Sequence, residues 1–275
     1  MPTTTTKKRK KYKYTARTAD KHRLYEISVQ CPEADVDFLD EVYREENGRR
    51  PLTLMEDFCG TALLSKTWVE SLEGRSAVGV DIDPEVLAWA RQHNLRRMGL
   101  RARNVELIEK SVLDVSAPQV DVRVAFNFSY SLFHRRSQLL EYFEVVRPSL
   151  APGGMFVLDL HGGPEAQQET VEKKTFPGFK YVWEQGPFNP VDARVTCYIH
   201  FEFPDRSRLK RAFVYDWRLW NLMELREILE DAGFSRTSVY WEGTDEETGE
   251  GDGVYTRCDT AENDPSWIAY IVAWP

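Results

Sequence analysis

The sequence has no apolar run near the roughly 18 residues that a membrane-crossing helix requires, which excludes a helical integral membrane protein. Its four cysteines, Cys31, Cys59, Cys197 and Cys258, stand far apart with no CxxC pair. That spacing supports neither a disulfide framework nor a zinc site, so they read as reduced thiols of a cytoplasmic protein, and no metal is expected. No secretory leader is expected either, because the N-terminal MPTTTTKKRKKYKYTAR carries charge but no following apolar stretch. Internal repeats are missing. Acidic residues are missing from positions 1–19, which hold seven lysines and arginines.

What is present fits a globular enzyme-sized chain: 275 residues, 42% hydrophobic and 12% aromatic, enough to bury a full core. The net charge of −8 becomes −15 once the basic tail is set aside. A body this acidic disfavours broad contact with nucleic acid, leaving the tail as the only route to such a partner. Residues 1–19 are expected to form a solvated, disordered tail.

Past the tail, DKHRLYEISVQ and PEADVDFLDEVYREEN carry apolar residues at helical spacing. From Pro51 the pattern alternates. LTLMEDF, SAVGVDI, NVELIEKSV, VDVRVAFNF and GMFVLDLHG read as strands, and TALLSKTWVESL, PEVLAWARQHNLRRM and SQLLEYFEVVRPSL as the helices between them. This is the grammar of a doubly wound, mostly parallel sheet covered on both faces, here with seven strands. Between residues 162 and 217 the period becomes two: RVTCYIHFEF, a PDRS turn and LKRAFVYDW predict an antiparallel cap inserted into the α/β layer. NLMELREILEDAGF restores a helix, SRTSVYWE reads as a strand, EGTDEETGEGDG as a surface loop, and SWIAYIVAW closes the sheet. The expected organisation is a tail (1–19), a helical lead-in with the α/β core (20–161), the cap (162–217) and the rest of the core (218–275).

In open α/β sheets a ligand binds at the carboxyl ends of the strands. The first strand-to-helix turn here is EDFCGTA, where Gly60 permits close backbone approach and Thr61 opens the helix without bulk. Asp81 ends the second strand about 20 residues later, where an acid accepts both hydroxyls of a ribose, with Ile82 beside it. Asp114 follows the third strand with Val112 and Leu113, suited to an adenine amino group and ring. Each acid alone is equally a turn residue or a helix cap. Together, and without the GxGxxG fingerprint of a pyrophosphate cradle, they indicate an adenosine lacking phosphates and disfavour an NAD-linked oxidoreductase.

Over residues 52–160 the chain resembles the class I S-adenosylmethionine-dependent methyltransferases. LMEDFCGTALL resembles the family's first motif, and RPSLAPGGMFVLDL its closing helix, turn and fifth strand. The resemblance implies S-adenosyl-L-methionine as cofactor, with Glu56, Phe58, Cys59, Gly60 and Thr61 beside its methionine part, Asp81 and Ile82 at the ribose and Asp114 at the adenine. Phe58 and Ala62 stand where the family often has glycine. Nothing in the chain matches the NPPY or DPPY patterns of exocyclic-amine methylation or a Pro-Cys nucleophile.

Methyl transfer from a sulfonium gains most from alignment in a dry pocket, with a base useful for acceptors that lose a proton. AFNFSYSLFH after the fourth strand puts Asn127, Ser129, Tyr130 and His134 forward as the wall around the methyl group, and LDLHGG puts His161 at the active edge. His134 is otherwise a helix-capping residue. Tyr25 and Arg23 are candidates for a lid over the cofactor, alternatively a helix packed on the sheet. Trp183, Tyr215, Trp217, Arg218 and Trp220 in or beside the cap are candidates for holding a small acceptor, or else core. The expected function is transfer of a methyl group to a nitrogen or oxygen of a small molecule. The alternatives are an RNA or protein methyltransferase guided by the tail and a non-catalytic cofactor-binding protein.

Overall fold

A computed structural model describes residues 13–115, 118–245, 247 and 251–275. Two helices precede the first strand. Helix α1 (Lys21–Val29) begins where the Asp20 carboxylate accepts from the amides of His22 and Arg23, and α2 (Pro32–Asn47) runs from a first-turn proline to Gly48 in the left-handed region. Then β1 (Thr53–Asp57), α3 (Leu63–Ser71), β2 (Ser76–Asp81), α4 (Pro84–His93), β3 (Val105–Glu109), β4 (Val120–Ala125), α5 (Arg136–Val146) and β5 (Leu150–Gly162) alternate as the periodicity predicts. These five strands pair in parallel in the order β3-β2-β1-β4-β5. The order reverses between β1 and β4, so their carboxyl ends open a crevice there.

The chain then leaves this sheet. Strands β6 (Thr170–Phe176), β7 (Phe179–Gln185), β8 (Arg194–Glu202) and β9 (Arg208–Arg218) form a separate four-stranded antiparallel sheet. It returns through α6 (Leu222–Asp231), β10 (Arg236–Thr244), β11 (Gly251–Cys258) and β12 (Trp267–Trp274), which add antiparallel strands beyond β5 in the order β5-β12-β10-β11.

Both faces of the large sheet are covered. On one side Tyr142, Phe143, Leu225 and Ile228 pack on Phe156 and Leu158; on the other Leu39, Tyr43 and Trp68 pack on Leu54 and Val122. A buried ion pair runs through the middle: Arg123 of β4 donates to Asp57 of β1 at 2.7 and 3.0 Å, and to Ser149 at 2.8 Å, while the Tyr142 phenol donates to Asp57 at 2.5 Å. Removing one partner of such a pair costs about 3–5 kcal/mol, because the other charge is left uncompensated.

Three features differ from the sequence expectation. The large sheet has eight strands rather than seven, because β11 forms at the end of the segment read as a loop: the Tyr255 ring packs, tilted, 4.2 Å from Tyr270 and anchors an otherwise polar edge strand. The cap has four strands, including a β6–β7 hairpin whose Pro177-Gly178 turn places Gly178 at φ 99°. Residues 13–19, expected in the disordered tail, pack on the small sheet. The Tyr14 ring meets Phe179 edge-on at 5.9 Å, and the Ala16 amide donates to Ser207 at 2.9 Å. The rest of the tail, residues 1–12, lies outside the described residues. No helix among the described residues is long and apolar enough to cross a membrane.

Candidate active site

The β1–α3 turn has an unusual backbone. Phe58, Gly60 and Ala62 all lie in the left-handed region, at φ 55°, 51° and 53°. The two positions where the resemblance led us to expect glycine thus keep the glycine conformation without glycine. Each costs about 1–2 kcal/mol of backbone strain, which packing offsets: Phe58 lies 5.9 Å from Tyr142 and Ala62 is fully buried. At Gly60 a Cβ would meet no atom within 4 Å, so the turn faces open space where a ligand can approach the backbone.

Asp81 braces this turn. One carboxylate oxygen accepts from the Gly60 amide at 2.8 Å and the other from Asp83 at 2.9 Å, and burial raises its pKa. Beside it Ile82 is 72% exposed, an apolar side chain left open at the strand end. Glu56 is buried under the first turn of α3, where its Oε2 accepts from the Ser65 amide at 2.9 Å and hydroxyl at 2.6 Å; burial pushes its pKa up to about 8. The Thr61 hydroxyl is buried without a partner. Cys59 is buried as well, its thiol pKa raised by desolvation. After β3, Asp114 is exposed, Val112 belongs to the core and Leu113 packs against it. An open glycine, a braced acid at the next strand end and an exposed aliphatic beside it fit a ribose and adenine. In such a fit Gly60, Asp81 and Ile82 would hold the cofactor.

A cavity of about 450 Å³ opens between the crevice and the inner face of the small sheet. Its large-sheet side is Phe126, Asn127 and Phe128 after β4, with Asp159 and His161 of β5; its roof is Tyr181, Trp183, Tyr215 and Trp217. Helices α1 and α2 close one end with Tyr25, Gln30 and Asp35. Tyr215 and Trp217 stack at 4.7 Å, with Trp183 5.8 Å from Trp217. The Tyr25 phenol pairs with Tyr215, and Gln30 Oε1 is buried without a partner. Glu165 and Glu172 add negative charge to the lining, with Lys174 as the one lysine.

Burial sets the protonation of the site. It pushes His161 down to about 4, keeping the imidazole neutral, and pushes Asp159 up to about 7 and Asp35 up to about 6. Asp35 accepts from the Tyr270 phenol at 2.8 Å, which only partly offsets its desolvation.

Several sequence candidates stand elsewhere. Tyr130 is in the core, its phenol donating to the Asp159 carbonyl at 2.7 Å, and Ser129 turns back onto the Phe126 carbonyl at 2.8 Å. His134 lies outside the cavity lining against the Asp216 carbonyl at 2.8 Å. Arg218 is committed to Glu224 at 2.5 Å and stacks 3.6 Å over Trp220, itself buried beneath the α5–α6 layer. Arg23 pairs with Glu26 at 2.7 Å. Conversely, the sequence reading missed Asp35, Gln30, Asp159, Tyr181 and Gln185. Gln185 donates to three carbonyls of residues 165–168, fixing the connection that leads into the cap. Asp159 lies two residues before His161 on the same strand face, and that period of two was the available signal.

Comparison with known proteins agrees with this geometry. Residues 58–156 match the family model of a methyltransferase domain. This stretch is therefore a methyltransferase domain, and it includes the turn at Gly60. No curated protein matches the sequence. Among solved structures, an S-adenosylmethionine-dependent methyltransferase from Clostridium acetobutylicum superposes with TM-score 0.67 at 18% identity, over 92% of this chain and 97% of that one. CalS10, an amino pentose methyltransferase from Micromonospora echinaspora solved with S-adenosylmethionine bound, gives TM-score 0.65 at 14% identity, over 92% and 96%. The sugar N-methyltransferase KedS8 from Streptoalloteichus gives 0.62 at 14%, over 100% and 97%. At these identities the likeness is one of fold, and it extends over the small sheet.

Proposed function

We propose that this enzyme methylates the nitrogen of a small amine seated between the two sheets. The observation that carries the reading is the cavity lining: four aromatic side chains of the small sheet oppose a neutral His161, with carboxylates at Asp35, Glu165 and Glu172. Aromatic faces and carboxylates attract amines, and the volume suits a ligand the size of a sugar. Two of the structures similar in fold are described as an amino pentose methyltransferase and a sugar N-methyltransferase, which supports an acceptor of this chemistry.

When bound, S-adenosylmethionine supplies a methyl group activated by its sulfonium. The acceptor must present a nitrogen lone pair, so it reacts as the free base. That lone pair forms the new bond to carbon as the carbon–sulfur bond breaks, and the electron pair stays on sulfur. With its pKa near 4, His161 is too weak a base to take a proton from an alkylammonium; its role is to accept a hydrogen bond from the acceptor N–H and aim the lone pair. Trp183, Trp217 and Tyr215 exclude water and fix the far side of the acceptor. We place Gly60 at the methionine end, Asp81 at the ribose and Asp114 at the adenine. Four unpaired cysteines support a reducing, cytoplasmic setting.

The test is transfer of labelled methyl from S-adenosylmethionine into a metabolite extract, with products identified by mass. The expected product is a small N-methylated amine, absent with Gly60→Arg. Label in protein or RNA, abolished by deleting residues 1–12, would favour a macromolecular acceptor instead.

A further inference from the structure

The loop after β4 is held in a conformation that its own residues disfavour. Asn127 and Phe128 are consecutive, neither is glycine, and both lie in the left-handed region, at φ 57° and 56°. Their two amides converge on one carboxylate: Asn127 donates to Asp159 Oδ2 at 2.7 Å and Phe128 to Oδ1 at 2.9 Å. Successive backbone N–H groups turned to one side form a nest for an anion, and here the anion is a side chain of the neighbouring strand. The same residue holds the far end of the loop, because its carbonyl accepts from the Tyr130 phenol at 2.7 Å. What this loop carries faces the acceptor. Asn127 and Phe128 line the cavity, and the Phe128 ring sits 4.5 Å from His161 and 5.9 Å, edge-on, from Trp217 of the small sheet.

We propose that Asp159 is a positioning residue for methyl transfer, whose carboxylate clamps the Asn127–Phe128 backbone in its left-handed form and thereby sets the acceptor wall opposite the small sheet. Both its oxygens are committed to the loop, so it acts through Asn127 and Phe128 rather than on the reacting atoms. Two features of this arrangement point to a positioning role. A carboxylate is the only side chain of this length that offers an acceptor to each amide; the asparagine isostere turns its NH₂ toward one of them and loses that bond. And no loop residue from 127 to 130 is glycine, so the conformation needs an outside partner.

The claim rests on the methyltransferase reading for its functional consequence but not for its structural one, so two readouts separate the failures. Asp159→Asn is compared with wild type by amide hydrogen exchange of residues 126–131, by calorimetry with S-adenosylhomocysteine, and by labelled-methyl transfer into a fixed mixture of small primary and secondary amines. We expect exchange at Asn127 and Phe128 to accelerate at least 10-fold, transfer to fall at least 10-fold, and S-adenosylhomocysteine affinity to stay within about 3-fold. A second variant, Asn127→Gly, relieves the left-handed penalty at one position. Its effect on transfer should be less harmful in the Asp159→Asn background than in wild type, a coupling that a merely structural or a directly catalytic Asp159 does not produce. Unchanged exchange in Asp159→Asn overturns the clamp, whether or not transfer falls. Accelerated exchange with undiminished transfer overturns the positioning role, and accelerated exchange in Asp159→Asn beside a wild type that transfers nothing to the mixture overturns the amine reading while leaving the clamp in place.

Discussion

The β1–α3 turn at the carboxyl edge of the large sheet and the inner face of the small sheet are built on opposite principles. The first is made of backbone: left-handed residues at 58, 60 and 62, amides of Gly60 and Asp83 on one carboxylate, and little side-chain bulk. The second is made of side chains: Trp183, Tyr215 and Trp217 stacked on a regular antiparallel framework. A backbone site suits a ligand that never changes, because almost every side-chain substitution leaves the amides in place, proline excepted. A surface of side chains on a stable sheet can be re-cut for a different acceptor. On the proposed reading, the constant cofactor meets the first and the particular substrate the second.

The sharpest way to break this division is Gly60→Arg, which places a long side chain in the open space above the turn. S-adenosylhomocysteine binding by calorimetry should become undetectable, a loss of 1000-fold or more, while the fold loses only the roughly 1–2 kcal/mol of strain that a non-glycine residue carries at this left-handed position. Asp81→Ala should weaken cofactor binding about 10- to 100-fold, the cost of removing a charged hydrogen-bond partner, while leaving the acceptor KM alone. Trp217→Ala should do the converse, raising acceptor KM about 10-fold by removing a face of the aromatic wall, with cofactor affinity within 2-fold. If both variants change both constants equally, the two walls are not separate.

A smaller effect concerns Glu56, whose folded pKa of about 8 lies above its unfolded value of about 4.3. Between these values the folded state holds a proton that the unfolded chain has lost, so this contribution to stability declines as pH rises from 4 through 8. Wild type should therefore lose thermal stability over that range, and Glu56→Gln should lose less of it in scanning calorimetry. The smallest expected effect is that of deleting residues 1–12: methylation of a small amine should change less than 2-fold, whereas a larger loss would give the tail a part in acceptor binding.

The parallel core was legible because each strand and helix carries its own period, from LTLMEDF to GMFVLDLHG; in the structure Asp20 and Asn221 cap α1 and α6. β11 was hidden by its acidic, glycine-rich entry, since the packing of Tyr255 on Tyr270 that anchors it is a long-range contact. The β6–β7 hairpin carried a Pro-Gly turn signal but too many charges for a buried pattern. The proposed cofactor wall reads as a motif because its residues follow strand ends in order. The acceptor wall was not: Asp35, Gln30, Tyr181 and Asp159 come from two helices and two sheets, and only the crossing of the cap over β4 and β5 brings them together. Arg218 and Trp220 lie outside the cavity lining for a related reason: the guanidinium stacks over the indole and pairs with Glu224, although Arg218 Nε and Trp220 Nε1 are buried without a partner.

The central claim is that a small amine nitrogen meets the cofactor between these two walls. Supplying carbon-13-labelled methyl donor with amine, phenol and carboxylate acceptors, and reading the labelled methyl by two-dimensional NMR, tests it most directly. The account predicts label on nitrogen of a small amine, reduced by Trp217→Ala and absent with Gly60→Arg; label on oxygen alone, or on none of these acceptors but on a macromolecule, would contradict it.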